Sequence, residues 1–297
     1  MHTIPKNNAK QSLNCGTHCE PILMGKKKPR LEPEALELPL GGVDSHAHLD
    51  LEDFDEDREA MIARAAACGV EQIINVFLGP DAYERNKGMF DAHPQISFLL
   101  GVHPNNADTL TDEVLERMRR HFTEDDRLKG VGEIGLDYYW DRVPHEVQKT
   151  AFIKQLDLAR ELEMPVIIHS RDANADCIAI LEEQGFKDYP VLWHCFGSGL
   201  ELAQPVIDNG WYVSIPGPVT FRKTDDLQAA VARIPFDRLL IETDCPFLAP
   251  EPWRGKRNHP ALVGFTAKRI AEIKGRPVAD LWKMTGDNAR RFFGLND

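Results

Sequence analysis

The feature that most constrains this chain is a rhythm. From Gly42 onward, short β-rich apolar runs alternate with amphipathic stretches of helical length. Strands are expected at 42–47, 72–77, 97–102, 129–134, 165–169, 191–195, 211–215 and 238–243. Helical periods lie near 57–68, 81–92, 111–122, 146–162, 173–184, 199–208 and 224–233, with more helix near 261–274 and 278–292. Within 146–162, Phe152, Leu156, Ala159 and Leu162 recur at steps of three and four and mark one buried face. Strands separated by helices must pair in parallel through crossovers. Eight such units over residues 42–297 suit a closed (β/α)8 TIM barrel, which usually needs roughly 250 residues. A doubly wound open sheet would place a glycine-rich phosphate loop after its first strand. The run Val43-Asp44-Ser45-His46-Ala47-His48 has no such loop.

Residues 1–41 break the rhythm. They carry six Lys/Arg and four Glu, including Lys26-Lys27-Lys28-Pro29-Arg30, and show no period, so a flexible N-terminal extension is expected. Its Cys15-Gly16-Thr17-His18-Cys19 cluster offers three soft ligands, one short of a structural zinc site. The basic run reads as solvated charge, with a nucleic-acid or targeting tag as the alternative. The six cysteines are too few for a disulfide scaffold, and no apolar run approaches the roughly 18–20 residues that span a bilayer. A cytoplasmic protein with no membrane contact and no obligate protein partner is expected. The formal charge of −12 argues against a broad basic grip on nucleic acid. A local site in which bound cations supply the positive charge is still open.

Chemistry in a barrel collects at the C-terminal ends of the strands. There the sequence places His46 and His48 after the first strand, Glu133 on the fourth, His169 on the fifth, His194 on the sixth and Asp244 after the eighth. Side chains two apart on a strand share a face, so His46 and His48 can point at one ion. Any one of these alone reads as a rim hydrogen-bonding residue or a helix cap. Together they form a mixed nitrogen and oxygen ligand set. Six ligands exceed the needs of one catalytic zinc and suit two divalent ions. We assign His46, His48 and Asp244 to one ion, His169 and His194 to the other, and Glu133 to the bridge. Zn, Mn, Ni, Co, Fe(II) and, less favourably, Mg fit that set. Water held between two cations loses a proton near neutral pH, and Asp244 can accept that proton and return it to a leaving group. His103, Asp137, Arg171, Arg222 and Arg257, with Arg254 and Lys256 nearby, fall at the same rim as candidate contacts for an anionic substrate. For each arginine the bland alternative is a surface ion pair. Tyr138, Tyr139 and Trp253 are candidates for stacking on bases or for plain packing.

These residues stand in recognisable motifs. They are Val43-Asp44-Ser45-His46-Ala47-His48-Leu49, Gly101-Val102-His103-Pro104, Gly132-Glu133-Ile134-Gly135-Leu136-Asp137-Tyr138, Ile168-His169-Ser170-Arg171-Asp172-Ala173, His194-Cys195-Phe196 and Glu242-Thr243-Asp244-Cys245-Pro246-Phe247-Leu248. Over residues 43–297 the chain resembles the TatD family of metal-dependent hydrolases, within the amidohydrolase-like barrels. The resemblance implies two divalent metals held by His46, His48, Glu133, His169, His194 and Asp244. It also implies phosphate contacts near His103 and Arg171, and 3′–5′ exonuclease or deoxyribonuclease activity on DNA. Two departures are visible. Gly197-Ser198 stands where the family commonly has Ser-Gly, and Asn258-His259-Pro260 stands where it usually has Asn-Glu-Pro. The acid is thus replaced by a candidate cation or ligand, His259, so the family's substrate contacts do not carry over in that loop, and as a cation His259 would touch substrate phosphate. The leading expectation is thus a phosphodiesterase acting on DNA. Hydrolysis of an amide, lactone or aminoacyl ester at the same site is the alternative, and a non-enzymatic scaffold the third.

Overall fold

The computed structural model describes residues 30–140 and 142–295. The Cys15, His18 and Cys19 cluster and the Lys26–Lys28 run lie outside them. Eight strands, β1 Gly42–Ala47, β2 Val70–Leu78, β3 Ile96–Gly101, β4 Leu128–Asp137, β5 Val166–Arg171, β6 Val191–Trp193, β7 Tyr212–Ile215 and β8 Leu239–Ile241, pair in parallel in sequence order. The last edge returns to the first through a parallel bridge between Ala47 and Cys245. Asp244 N donates to His46 O and His48 N to Cys245 O, both at 2.9 Å. The chain is therefore a (β/α)8 barrel, closed at the rim where the expected ligands lie.

Helices α1 Arg58–Ala67, α2 Pro80–Asn86, α3 Asp112–Glu124, α4 His145–Glu161, α5 Asn174–Glu183, α6 Leu200–Asp208, α7 Asp225–Arg233 and α8 Val263–Lys274 form the outer layer, and α9 Val278–Phe293 ends the chain. Phe152, Leu156 and Ala159 are buried as their spacing predicts, and Leu162 is half-buried. Strand alternation sorts the core into two sets. Ile73 and Phe77 pack outward with the helices. Val43, Ile74, Val76, Leu99, Ile167, Leu192 and Leu240 form the barrel interior with Phe292 and Phe293 of α9.

Two register shifts redirect that alternation near the rim. Between Asp44 and Ala47, three steps on β1 match two on β2, and between Val131 and Ile134, three steps on β4 match two on β5. One extra residue in a strand moves the following side chains to the other face. Thus Val43 lies in the interior set, whereas Ala47 and Leu49 lie in the outer set, and His46 and His48 turn inward. On β4 the shift turns Glu133 and Asp137 toward the axis, with Ile134 and Leu136 outside. β4 also runs three residues beyond its expected end, so Glu133 lies well inside the strand.

Residues 31–41, grouped above with the flexible extension, instead fold against the barrel. A 3-10 turn spans Pro33–Leu36, and Glu32 and Glu34 pair with Arg64 of α1. Trp253 Nε1 donates to Leu31 O, Trp282 Nε1 to Pro39 O, and Arg290 Nη1 to Gly41 O. Short sequence runs without period can still be ordered by such side-chain contacts.

Gly135 is required where β4 meets β5. Its φ is +136°, and a Cβ there would stand 2.1 Å from the His169 carbonyl oxygen. We expect Gly135→Ala to lower unfolding stability by about 2–4 kcal/mol in denaturant titration, and to displace His169 enough to weaken metal uptake.

Candidate metal centre

Six side chains, from β1, β4, β5 and β6 or the residues directly after them and from the loop after β8, meet in one cluster. Glu133 is its centre. Its Oε2 lies 3.6 Å from His46 Nε2 and 3.9 Å from His48 Nε2. Its Oε1 lies 2.6 Å from His169 Nδ1 and 2.8 Å from His194 Nε2. Asp244 Oδ1 joins the first side, 3.4 Å from His48 Nε2 and 3.9 Å from His46 Nε2. The His46 and His194 rings stack at 4.0 Å. The two oxygens of one carboxylate therefore meet different donors, and the stacked His46 and His194 keep the two sides within one ligand spacing of Glu133.

This donor set fits divalent cations. The His46 and His48 Nε2 atoms face each other at 3.3 Å, where at most one carries a hydrogen for the other. His46 Nδ1 and Glu242 Oε2 are buried with no hydrogen-bond partner. Burial works against charge on His194, but Glu133 overrides it and holds the imidazole well above its ordinary pKa. His169 and His48 are raised in the same way, against burial, by Asp137 with Glu133 and by Asp244 respectively. Glu133 and Asp244 are held low despite burial by the surrounding histidines. A field that retains protons on buried imidazoles also favours exchanging them for cations.

Two more carboxylates stand behind the histidines. Asp137, expected as a substrate contact, is buried, and its Oδ2 accepts from His169 Nε2 at 3.1 Å. Backbone N–H groups of Tyr139 and Trp140 bind its other oxygen, and Asn105 Nδ2 reaches Oδ2. This fixes which ring nitrogen of His169 is free to face Glu133. Glu242 holds a similar place behind His194, 3.6 Å from Nδ1, and accepts from Cys195 N at 2.6 Å. The sequence reading missed Asn105 and the role of Glu242. The alternation of Glu242 and Asp244 on one strand end was the available signal.

His103, Asp137 and His169 have ligand atoms within 4.8 Å of one another, the spacing of a further metal group. Hydrogen bonding argues against that use. Asn105 N donates to His103 Nδ1 at 3.1 Å, so the neutral ring carries its hydrogen on Nε2, which faces Glu133 Oε1 at 3.6 Å. Burial pushes the His103 pKa down to about 4, keeping the ring neutral. His103 is thus a fixed N–H donor at the mouth.

The outlying candidates divide. Arg171 and Arg222 are exposed at the rim. Arg257 is taken up by Asp57 and the Asp53 carbonyl, the ion-pair alternative. His259 does not reach the mouth as a cation. It is buried, burial and the nearby Arg64 and Arg257 push its pKa down to about 4, and neither ring nitrogen has a partner among the described residues. Tyr138 stacks on His145 and donates to Asp176, and Trp253 donates to Leu31 O, so both pack, while Tyr139 is exposed.

A barrel with this nitrogen and oxygen cluster at its C-terminal mouth defines a metal-dependent hydrolase. The family model described as TatD related DNase matches residues 43–294, and the chain belongs to the TatD family. The uncharacterized metal-dependent hydrolase YabD of Bacillus subtilis is 40% identical over 85% of this chain and 99% of its own length. The 3′-5′ ssDNA/RNA exonuclease TatD of Cronobacter sakazakii is 36% identical over 82% of this chain and 94% of its own. The crystal structure of YJJV, a TatD homologue from Escherichia coli K12, superposes with a TM-score of 0.80 at 26% identity, over 86% of this chain and 98% of that one. Among the described residues no helix is long and apolar enough to cross a membrane.

Two outcomes follow from the protonated histidines and from Asp137. Cations must displace protons from His48, His169 and His194, so metal affinity should rise with pH and go on rising beyond the range where an ordinary histidine has lost its proton, with proton release seen by calorimetry in buffers of different ionisation enthalpy. Asp137→Asn should weaken metal binding by about 10–100-fold in a chelator competition while the metal-free protein still unfolds cooperatively.

Proposed function

We propose that this protein is a phosphodiesterase that removes nucleotides from the 3′ end of DNA with two divalent ions. One observation carries the reading: Glu133 divides its oxygens between a His46–His48–Asp244 group and a His169–His194 group. A shared carboxylate between two donor sets is the arrangement for a pair of ions clamping one reacting group. When bound, such ions polarise a phosphoryl oxygen and acidify water. The activity named for the Cronobacter relative supports DNA as substrate.

The chain's own groups then divide the work. Asp244, held as a carboxylate at neutral pH, accepts the proton of the attacking water and passes it to the departing 3′ oxygen. His103 donates Nε2–H to a phosphoryl oxygen without carrying charge, as a neutral imidazole can. Asp137 orients His169, and Glu242 lies behind His194 as its counter-charge. Arg171, exposed at the rim, meets a neighbouring phosphate.

The test uses metal-reconstituted protein and a 5′-labelled single strand. We expect a ladder shortening from the 3′ end and abolition by excess EDTA. Glu133→Ala and His169→Ala should each cut turnover by at least about a hundredfold while unfolding stays cooperative. Wild-type turnover in either variant would remove that residue from the mechanism.

A further inference from the structure

Exposed aromatic side chains are rare on this surface, and their placement is not random. Among the described residues, Tyr139, Trp140 and Phe247 are the aromatics more than a third exposed, at 55%, 42% and 54%. All three lie on loops at the mouth. Tyr139 and Trp140 follow β4 directly, and Phe247 follows β8. In the closed order of eight strands, β4 and β5 stand opposite β8 and β1. The ligand cluster lies between them. On one side, the Tyr139 and Trp140 backbone N–H groups are pinned to Asp137, which also receives His169. On the other, the Phe247 ring lies 6.4 Å from the His48 ring.

We propose that Tyr139–Trp140 and Phe247 are two nucleobase platforms, holding unpaired bases on either side of the phosphodiester to be cut. The inference rests on the phosphodiesterase reading above and deepens it, by making the substrate class a strand whose bases are unstacked from a partner. Aromatic faces accept any base, because every base has a π-face. A duplex keeps those faces stacked internally, so the platforms select single-stranded or frayed ends. Charge supports this occupant. The Arg171 guanidinium lies 3.8 Å from the Tyr139 ring centroid, and the Arg142 guanidinium 5.1 Å from the Trp140 centroid. Cation and aromatic together suit a base with its adjoining phosphate. A protein-docking patch would be contiguous and apolar. Here the aromatics are split by a polar, ionisable cluster.

The experiment compares hydrolysis of a normal single strand and of an abasic strand of equal length by metal-loaded wild type, Tyr139→Ala, Trp140→Ala and Phe247→Ala. Melting temperatures are measured alongside. Each variant should raise KM for the normal strand about tenfold more than for the abasic strand, as loss of one stacked base predicts. Trp140 fluorescence should be quenched by the normal strand and less by the abasic one. Equal losses on both strands, or none, would overturn the platforms while leaving the hydrolase intact. Wild type inactive on both strands would instead refute the phosphodiesterase reading, and the platforms with it. A dimer that Phe247→Ala or Trp140→Ala dissolves would assign the aromatics to self-association and also overturn the proposal.

Discussion

Glu133 is a buried carboxylate that takes contacts from five histidines, and most of the upper barrel is arranged around it. It is 4% exposed, so its charge must be met from within the protein. His46, His48, His169, His194 and His103 approach its two oxygens from β1, β5, the ends of β1 and β6 and the loop after β3. Several of them have a further group behind them. Asp137 holds His169, Glu242 faces His194, and the Asn105 backbone sets the tautomer of His103. A buried polar network of this kind is stable when its members are satisfied and costly when they are not.

The barrel was legible in the sequence because strand and helix periods are local properties. The first strand ends where the apolar run and the His46-Ala47-His48 triplet place it, and α1, α5 and α7 fall within a few residues of their expected spans. The convergence of the six side chains was legible because barrel chemistry gathers at strand ends. What the sequence could not reveal were the extra residues in β1 and β4. A register shift depends on the neighbouring strand, and it decides which face His46 and Glu133 occupy. Burial was equally hidden. Asp137 and His259 read as rim residues from their positions in loops and motifs, but packing from β5, α1 and the segment before β1 encloses them. Arg257 was lost to a nearby carboxylate for the same reason.

The charge of the chain and that of its proposed substrate have the same sign. A polyanion meeting a protein of net charge −12 gains little from long-range attraction. Affinity must then come from short-range features: the cations at the mouth, a few exposed arginines and contacts that do not depend on charge. Ions bound between carboxylates reverse the local potential where the reaction takes place. Such a surface would discriminate against chance contacts with nucleic acid elsewhere on the molecule.

The segment from Leu31 to Gly41 links distant parts of the molecule. It is tied to α1 through Arg64, to the loop after β8 through Trp253, and to α9 through Trp282 and Arg290. Mechanically it acts as a tether along one flank of the barrel. A load applied at the amino end would reach the β8 loop, and with it the backbone that carries Asp244, before it reached any strand. Cargo fused to that end would pull on the mouth of the barrel, whereas cargo fused after α9 would pull on its floor.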